Sequence, residues 1–403
     1  METYLLDWAN LLLRWLHVIV AIAWIGSSFY FVFLDSNLEP PKADDLKKKG
    51  VDGAIWSVHG GGFYNAHKYM VAPQGGAIDS KLHWFYWESY WTWMSGFALF
   101  VVLYLWNASI FLVDKNVFDW SPVAAGFGAV GFLVGFWLIY DTICRVFGFR
   151  QNGDRIVGAL ILVVVAIAAW LACHLFAGRA AFLIVGAMIA TSMSANVFFW
   201  IIPGQRKVVA AMTSGQPYDP AEFAIYGKRG KQRSVHNTYF TLPVIVAMLS
   251  NHYSFLYSDA HRWVVLFVLM LAGALIRQFF VARHAWHLGK ARHPWPYAVV
   301  GVLLLIGLVA WMKPAPEAPA AAAPATVDYA QIKPILEQRC YLCHGEAVQQ
   351  KGLRFDSEEQ AKTHAQLIYQ QVVVQKLMPL GNATQMTEAE RGMVKRWFEG
   401  GAK

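Results

Sequence analysis

The chain has 403 residues, of which 57% are hydrophobic and only 15% are charged. With a mean hydropathy of +0.36 it is too apolar for a soluble protein of this length, so most of it is expected to lie in lipid. The formal net charge of +8 indicates contact with anionic lipid headgroups. Nucleic acid is a poor candidate as a partner, because no basic patch lies on a soluble domain.

Eight apolar segments are each long enough to cross about 30 Å of hydrocarbon. They lie near residues 8–33, 84–112, 122–144, 156–176, 179–202, 236–256, 262–285 and 295–312. The expected fold class is therefore all-α, with a polytopic transmembrane bundle of about eight helices over residues 1–312. Ser192, Ser194 and Asn196 interrupt the segment 179–202 with polar groups.

Lysine and arginine are distributed unequally between the connections of these segments. One set of connections carries 18 of them: 35–82, 145–155, 203–235 and 283–293. The other side carries only Lys115, Arg179, Arg262 and Lys313. By the positive-inside rule the first set faces the cytoplasm, so both termini are expected outside.

A stretch rich in proline and alanine, residues 313–326, follows the last apolar segment and predicts an extended linker. Residues 327–403 beyond it carry 10 basic and 9 acidic side chains, the balance of a small globular domain. Thr387 and Glu390 have the spacing of a capping box that opens a last helix. The apolar residues of that helix share one face: Met393, Val394, Trp397 and Phe398.

The sequence Cys340-Tyr-Leu-Cys343-His344 is the most specific motif of the chain. Two thiols three residues apart on a helical turn can add to the two vinyl groups of one haem, and the imidazole of His344 then reaches the iron. A zinc half-site would need a second pair of ligands, and a redox-active cysteine pair would need thioredoxin-like surroundings. Neither is present in the sequence, so the motif predicts one covalent haem c.

The second axial ligand of this haem is expected from the loop-rich region downstream. Met378, followed by Pro379, can present its thioether to the iron and complete a His/Met pair that raises the potential. Met386 is the alternative ligand, and Met393 is expected to pack in the last helix. Because haem is attached to cysteine outside the cytoplasm, residues 327–403 are predicted to be periplasmic in a bacterial cell, which agrees with the charge-derived topology of an inner-membrane protein.

Ionisable groups inside a membrane are costly and are commonly functional. His17 lies near the middle of the first apolar segment, His252 in the outer part of the sixth and His174 at the outer end of the fourth. Two such histidines, with His17 and His252 as the first choice, predict a site for a haem b between helices. The alternative is that each histidine is simply hydrogen-bonded between helices.

A second group of polar residues is expected on the cytoplasmic side, in the glycine-rich loop 35–82 and the adjoining helix ends. Its members are His59, Gly61, His67, Glu88, Asn196, His236, Asn237 and Arg277. Glycine lets backbone N–H groups approach an anion, and Arg with Asn can recognise a polar heterocycle. The group predicts a small-molecule pocket, with Glu88, His236 and Arg277 as catalytic candidates and the others as binding candidates. The alternative is a membrane-interface belt, where amphipathic rings are enriched.

Several segments, in their order along the chain, resemble the bacterial membrane-bound urate hydroxylases, which carry a fused cytochrome c domain. They are Arg14-Trp-Leu-His17, Trp24-Ile-Gly26, His59-Gly-Gly-Gly-Phe-Tyr64, Trp87-Glu88, His236-Asn237-Thr-Tyr239, Thr241-Leu-Pro243, Ser250-Asn-His252-Tyr253 and the Cys340-to-His344 motif. The resemblance spans the whole chain. It implies oxidation of urate to 5-hydroxyisourate, with electrons passing through the fused haem c to a soluble cytochrome c or a terminal oxidase.

Two other functions explain part of the pattern. A membrane quinol dehydrogenase that reduces cytochrome c would also need buried histidines and a haem c, although it gives no reason for the glycine-rich loop. The second is an electron-transfer or haem-delivery subunit without a substrate of its own. If a urate pocket lies on the cytoplasmic side, electrons must cross about 30 Å of membrane, so a relay such as haem b would be needed.

Overall fold

The computed structural model describes residues 2–69, 78, 81–214, 219–289, 291–313, 327–382 and 384–403. The predicted linker 313–326 lies outside these residues, except for Lys313. The described part is mostly helical and includes one two-stranded hairpin, so a largely helical fold is confirmed.

The described part of residues 2–313 contains twelve α-helices. They are α1 (Glu2–Asn37), α2 (Asp44–Lys48), α3 (Trp87–Phe100), α4 (Ala108–Phe111), α5 (Pro122–Phe147), α6 (Gly153–Leu175), α7 (Gly178–Asn196), α8 (Ile202–Thr213), α9 (Pro220–Leu249), α10 (Ser254–Tyr257), α11 (Arg262–His287) and α12 (Trp295–Trp311). Two π-helical segments, Val101–Leu105 and Val197–Ile201, continue α3 and α7 without a break.

Five helical stretches of the described chain are long and apolar enough to cross a membrane. They are Tyr4–Asn37, Pro122–Phe147, Gly153–Leu175, Gly178–Thr213 and Arg262–His287. These stretches confirm five of the eight predicted segments as long apolar helices: 8–33, 122–144, 156–176, 179–202 and 262–285.

The other three predicted segments fold differently. Residues 84–112 form α3, its π-helical continuation and the short α4 rather than one straight helix. The predicted segment 236–256 is only the second half of α9, which ends at Leu249 and is followed by short turns. The segment 295–312 is the apolar helix α12, which has 17 residues.

α7 lies at the centre of the bundle, where it packs against α5, α6 and α9. Of the 18 most apolar consecutive residues in the stretch Gly178–Thr213, 61% are buried. In the corresponding part of α1, which lies at the periphery, 0% are buried. Gly186 permits the close packing, because a Cβ atom there would lie 2.8 Å from the Cβ of Ala247 on α9. The polar residues of this segment can pair with groups on other helices, because most of the helix surface faces the interior of the bundle.

The glycine-rich loop before α3 contains an ordered hairpin. β1 (Gly53–His59) and β2 (Gly62–Lys68) pair antiparallel, with Gly53 opposite Lys68 and His59 opposite Gly62. An ion pair of 2.7 Å between Lys68 and Asp35 holds the base of the hairpin to the end of α1. The hairpin therefore projects from the same end of the bundle as the start of α3.

The C-terminal domain, residues 327–403, has its own small core. Its helices are α13 (Tyr329–Arg339), α14 (Tyr341–His344), α15 (Glu358–Thr363), α16 (Ala365–Tyr369) and α17 (Glu388–Glu399). The predicted capping box is confirmed, since Thr387 and Glu390 each accept a hydrogen bond from the other's backbone N–H. Val394 and Trp397 on the apolar face of α17 are completely buried.

Candidate functional site

Three helices bring six polar side chains together inside the bundle, and we call this group the polar layer. Its members are Tyr140 and Asp141 of α5, Asn196 of α7, and Arg233, His236 and Asn237 of α9. Residues three and four apart share one face of a helix, which explains why the three residues of α9 point into the layer together. Sequence analysis identified only Asn196, His236 and Asn237 of these six.

The charged centre of the polar layer is an ion pair between Asp141 and Arg233. Arg233 Nη2 lies 2.7 Å from Asp141 Oδ1, and both side chains are less than 10% exposed. Trp200 Nε1 donates to the same carboxylate oxygen at 2.8 Å, and Arg145 Nε lies 2.6 Å from the other oxygen. A buried ion pair is stable only when its remaining hydrogen-bonding capacity is met, and here it is met on both carboxylate oxygens.

Sequence analysis missed both members of this pair for different reasons. Arg233 lies within the stretch 203–235, which the charge distribution assigned to a cytoplasmic connection, whereas α9 already begins at Pro220. Asp141 carried a usable signal, because it is a lone carboxylate within the apolar segment 122–144. Such a residue faces the interior of a bundle and has a partner.

Both asparagines of the polar layer are hydrogen-bonded to protein groups. Asn196 Nδ2 donates to the Tyr140 hydroxyl and to Asn237 Oδ1, each at 2.9 Å, and its Oδ1 accepts from Arg233 at 3.3 Å. Asn237 Nδ2 donates to the carbonyl of Met193 at 3.0 Å. Asn196 and Asn237 therefore brace the three helices, and a ligand would have to displace these bonds to reach them.

His236 lies at the edge of the polar layer. Its Nδ1 is 3.0 Å from the Tyr140 hydroxyl. The Tyr140 hydroxyl and the Cys144 thiol, whose Sγ lies 3.7 Å from Nδ1, can each donate to this nitrogen, and with either donor the ring carries its own proton on Nε2. The arrangement leaves Nε2–H as the donor that His236 can offer to a ligand.

Arg277 and Glu88 each contain a buried atom without a hydrogen-bond partner among the described residues. Arg277 is 5% exposed, and its Nε and Nη2 are both unpaired. Its guanidinium carbon lies 4.1 Å from the centre of the Phe29 ring on α1. Glu88 Oε2 is buried and unpaired as well. An unsatisfied buried charge is costly, so these atoms point to a polar ligand that would supply the missing hydrogen bonds.

Hydrogen bonds between helices put Glu88 and Arg277 at the same level as the polar layer. The Tyr239 hydroxyl donates to Gln278, which joins α9 near His236 to α11 next to Arg277. Ser194 donates to the carbonyl of Ser89 at 3.1 Å, which joins α7 near Asn196 to α3 next to Glu88. At about 1.5 Å of rise per residue, these groups lie within about one helical turn of each other along the bundle.

The binding candidates predicted in the glycine-rich loop lie in two different parts of the hairpin, its tip and its base. His59 and Gly61 are exposed at the tip of the hairpin, and Gly61 has a φ of +79°, which favours glycine. A seven-residue strand spans about 23 Å, so this tip lies far from the hairpin base. His67 is near the base, and its Nε2 is buried without a partner among the described residues.

His17 of α1 is held by α3. Its Nδ1 lies 3.0 Å from the carbonyl oxygen of Thr92 and 3.1 Å from Ser95 Oγ. Because a carbonyl only accepts, Nδ1 carries the proton and Nε2 has a free lone pair. Gly96 lies against the ring, since a Cβ there would be 2.8 Å from His17 Cε1. A histidine oriented through Nδ1 in this way is the state that ligates iron.

The structure does not bring His252 to His17. His252 is exposed in the turn after α9, and its neighbour Asn251 accepts from the Tyr104 hydroxyl at 3.0 Å. Tyr104 lies nine residues or more beyond Thr92 and Ser95, which corresponds to roughly 14 Å along the helix. His174 is also exposed, with its Nδ1 bonded to the carbonyl of Trp170. A haem b on His17 thus has no second histidine from these two candidates.

The haem c motif has the local geometry that its chemistry requires. Cys340 to His344 form a helical turn, in which the N–H of His344 donates to the carbonyl of Cys340 at 2.9 Å. His344 Nδ1 lies 3.3 Å from the carbonyl of Leu353, which leaves Nε2 unprotonated for an iron. Burial raises the pKa of the Cys340 thiol to about 12, unlike the lowered pKa of a redox-active cysteine pair. The residues therefore fit a haem c.

Met378 is placed by a buried arginine of the last helix. Arg391, which is 6% exposed, donates through Nη1 to the carbonyls of Met378, at 2.8 Å, and Val372. The Met378 N–H donates to the carbonyl of Gln371 at 3.0 Å, so the residue is fixed on both sides. The alternative ligand, Met386, is 4% exposed and belongs to the apolar core of the domain.

A family model described as urate oxidase N-terminal matches residues 3–313. The chain belongs to this family. The matched region contains His17, Glu88, Arg277 and the whole polar layer, and it ends before the C-terminal domain. Family membership makes the chain a urate-oxidase-related oxidoreductase. No curated protein and no solved structure matches the chain.

Proposed function

We propose that the chain oxidises urate to 5-hydroxyisourate within a bacterial inner membrane and delivers the electrons to a haem c on its periplasmic C-terminal domain. A soluble cytochrome c or a terminal oxidase is the final acceptor. The observation that carries this proposal is the buried guanidinium of Arg277, whose Nε and Nη2 lack a hydrogen-bond partner among the described residues, at the level of Glu88 and the polar layer, inside the region that matches the urate oxidase family.

Arg277 supplies the binding group for urate, which is an anion at neutral pH. Two unpaired donors of one guanidinium, Nε and Nη2, can bind two acceptors of a planar heterocycle in parallel. The Phe29 ring covers the guanidinium and limits access of water to it. His236 adds a donor through Nε2–H, and the asparagines of the polar layer hold that ring in place through Tyr140.

Glu88 supplies the base. Urate and one water molecule give 5-hydroxyisourate, two electrons and two protons, so the water that attacks C5 must lose a proton as it adds. A carboxylate with an unpaired buried oxygen is suited to accept that proton. The second proton comes from the urate ring, and the exposed cytoplasmic end of the bundle is the nearest route to solvent for both.

The two electrons released by urate need an acceptor, and haem iron can take them one at a time. A haem c held by Cys340, Cys343, His344 and Met378 supplies one-electron acceptor chemistry. Asn196 lies 18 residues, or roughly 27 Å, from the outer end of α7, so a relay is needed between the pocket and that haem. His17, with a free Nε2 between these levels, is the residue that would hold a haem b.

The test is an anaerobic difference spectrum of the purified chain before and after addition of urate, with dithionite as the full-reduction reference. Reduction of a c-type α band by urate is the expected result, and an additional b-type band identifies the relay. No reduction by urate, with dithionite still effective, overturns the proposal, and reduction by quinol instead indicates a quinol dehydrogenase.

Two substitutions test the proposed roles of Arg277 and Glu88. Arg277→Gln is expected to lower kcat/KM for urate by about 100-fold, because hydrogen bonds to a charged group contribute about 1.5–3 kcal/mol each. Glu88→Gln is expected to lower kcat by about 100-fold or more with normal haem content. Arg283→Gln, an exposed arginine of the same helix as Arg277, is the matched control. Unchanged turnover in Glu88→Gln removes Glu88 from the role of base.

A further inference from the structure

Two loops of the C-terminal domain rest on the outer end of the bundle. Lys351 Nζ lies 2.7 Å from Asp7 Oδ1 near the beginning of α1. The Ser254 hydroxyl, at the first residue of α10, donates to the carbonyl of Gln375. The short turn Leu380–Asn382 packs against α4. All three contacts lie on the side of the bundle that the charge distribution assigns to the outside.

These two loops adjoin the two residues that would ligate a haem c iron, His344 and Met378. Lys351 lies in the loop that follows the Cys340-to-His344 motif and continues to Leu353, whose carbonyl orients His344. Gln375 and the turn 380–382 lie on either side of Met378 in the chain. A group held between His344 and Met378 is therefore bordered by both loops, and both loops contact the bundle.

We propose that the bundle and these two loops form a docking interface, in which the haem edge between the His344 loop and the Met378 loop faces the outer end of the bundle. This inference rests on the proposed function: a haem c bound there would receive the electrons of urate oxidation at this interface. Each transfer would move one electron and no proton, with the membrane haem b proposed above as the donor and the haem c as the acceptor.

The interface is suited to reversible contact. Lys351 and Asp7 are 67% and 49% exposed, and an exposed ion pair contributes at most about 1 kcal/mol. Ionic strength near 0.15 M screens such a pair over about 8 Å. A contact of this kind orients the domain yet lets the same haem edge turn to a soluble acceptor afterwards.

A carbodiimide, which joins an amine to a carboxylate in contact, tests the docking without urate. In the full-length chain at low salt we expect a Lys351–Asp7 cross-link by peptide mass spectrometry, and its loss in Lys351→Gln or in high salt. The pair Lys376–Glu388 within the C-terminal domain, at 2.8 Å, is the internal standard. If that standard cross-links at low salt while Lys351–Asp7 does not, the docking interface is overturned.

Stopped-flow reduction of haem c by urate tests whether the docking interface is used for electron transfer. Lys351→Glu is expected to slow the reduction by about threefold to tenfold at low salt, because the attraction becomes a repulsion. Adding Asp7→Lys restores the opposite charges and the rate. Lys333→Glu is the control, since this exposed lysine pairs with Glu337 of its own helix. Equal rates for Lys351→Glu and the unmodified chain overturn the assignment, whereas a chain that urate never reduces contradicts the proposed function and leaves the cross-link as the test of docking.

Discussion

The C-terminal domain and the polar layer of the bundle assemble functional groups in opposite ways. Cys340, Cys343 and His344 lie within five consecutive residues, and one helical turn presents all three. The polar layer draws its members from α5, α7 and α9, whose residues are up to about a hundred positions apart. A local site of this kind depends on spacing, whereas a distributed one depends on how helices pack, and the two should respond differently to substitution.

The largest effect is expected where the chemistry is local. The double substitution Cys340→Ala and Cys343→Ala should abolish covalent haem, because both thioether bonds are lost. Haem staining of a denaturing gel and the c-type α band measure this outcome. Cys173→Ala, a buried free cysteine of the bundle, is the control and should retain both signals. Persistent haem staining in the double variant would contradict the haem c assignment.

A distributed site should instead lose stability when one member is removed. Asp141→Asn leaves the buried Arg233 without its counter-charge, and breaking a buried pair in this way costs roughly 3–5 kcal/mol. We expect a clearly lower Tm by tryptophan fluorescence in detergent. Further substitution of Arg233→Met should recover part of the loss, because it removes the stranded charge.

Asp154→Asn is the matched control for Asp141→Asn. Asp154 is exposed at the first turn of α6 and accepts a hydrogen bond from Gln232 at 3.1 Å. Its substitution should change the Tm little, because solvent replaces the lost contact. An equal Tm for the two variants would mean that the polar layer does not stabilise the bundle.

The smallest effect is a pH dependence in the C-terminal domain. Burial favours the neutral form of Glu390, but hydrogen bonds from the Thr387 backbone and from Arg339 outweigh it and lower the pKa of this carboxyl below its usual value of 4.5. The folded domain therefore gains stability from Glu390 above pH 4.5, and this gain is lost as the pH falls through the lowered pKa.

Glu390→Gln isolates this charge, because the amide oxygen can still accept from the Thr387 N–H in the capping box. We expect a loss of about 1 kcal/mol at pH 7 and no difference from the unmodified chain near pH 2. Thermal melts of the full-length chain, followed at the haem band across this pH range, measure it. A constant difference at every pH would show that the effect is steric and not electrostatic.

The candidate site was only partly predictable from the sequence. Glu88, His236 and Arg277 were expected from polar groups near apolar segments, and the structure places all three at one level of the bundle. Asn196 and Asn237 were expected to bind a ligand, whereas their amides are occupied in bracing helices. His59 and Gly61 were expected near the pocket, and the structure places both, exposed, at the tip of the hairpin.

Composition and contiguous spacing were sufficient for five of the eight predicted apolar helices and for placing Cys340, Cys343 and His344 on one helical turn, because hydrophobic length and residue spacing are local properties of the chain. The pairing of Asp141 with Arg233, the orientation of His17 by α3 and the separation of His17 from His252 were decided only by the tertiary structure. Each depends on the rotation and depth of one helix against another. Side chains packed against non-adjacent segments set those two quantities, and no periodicity within a single segment encodes them.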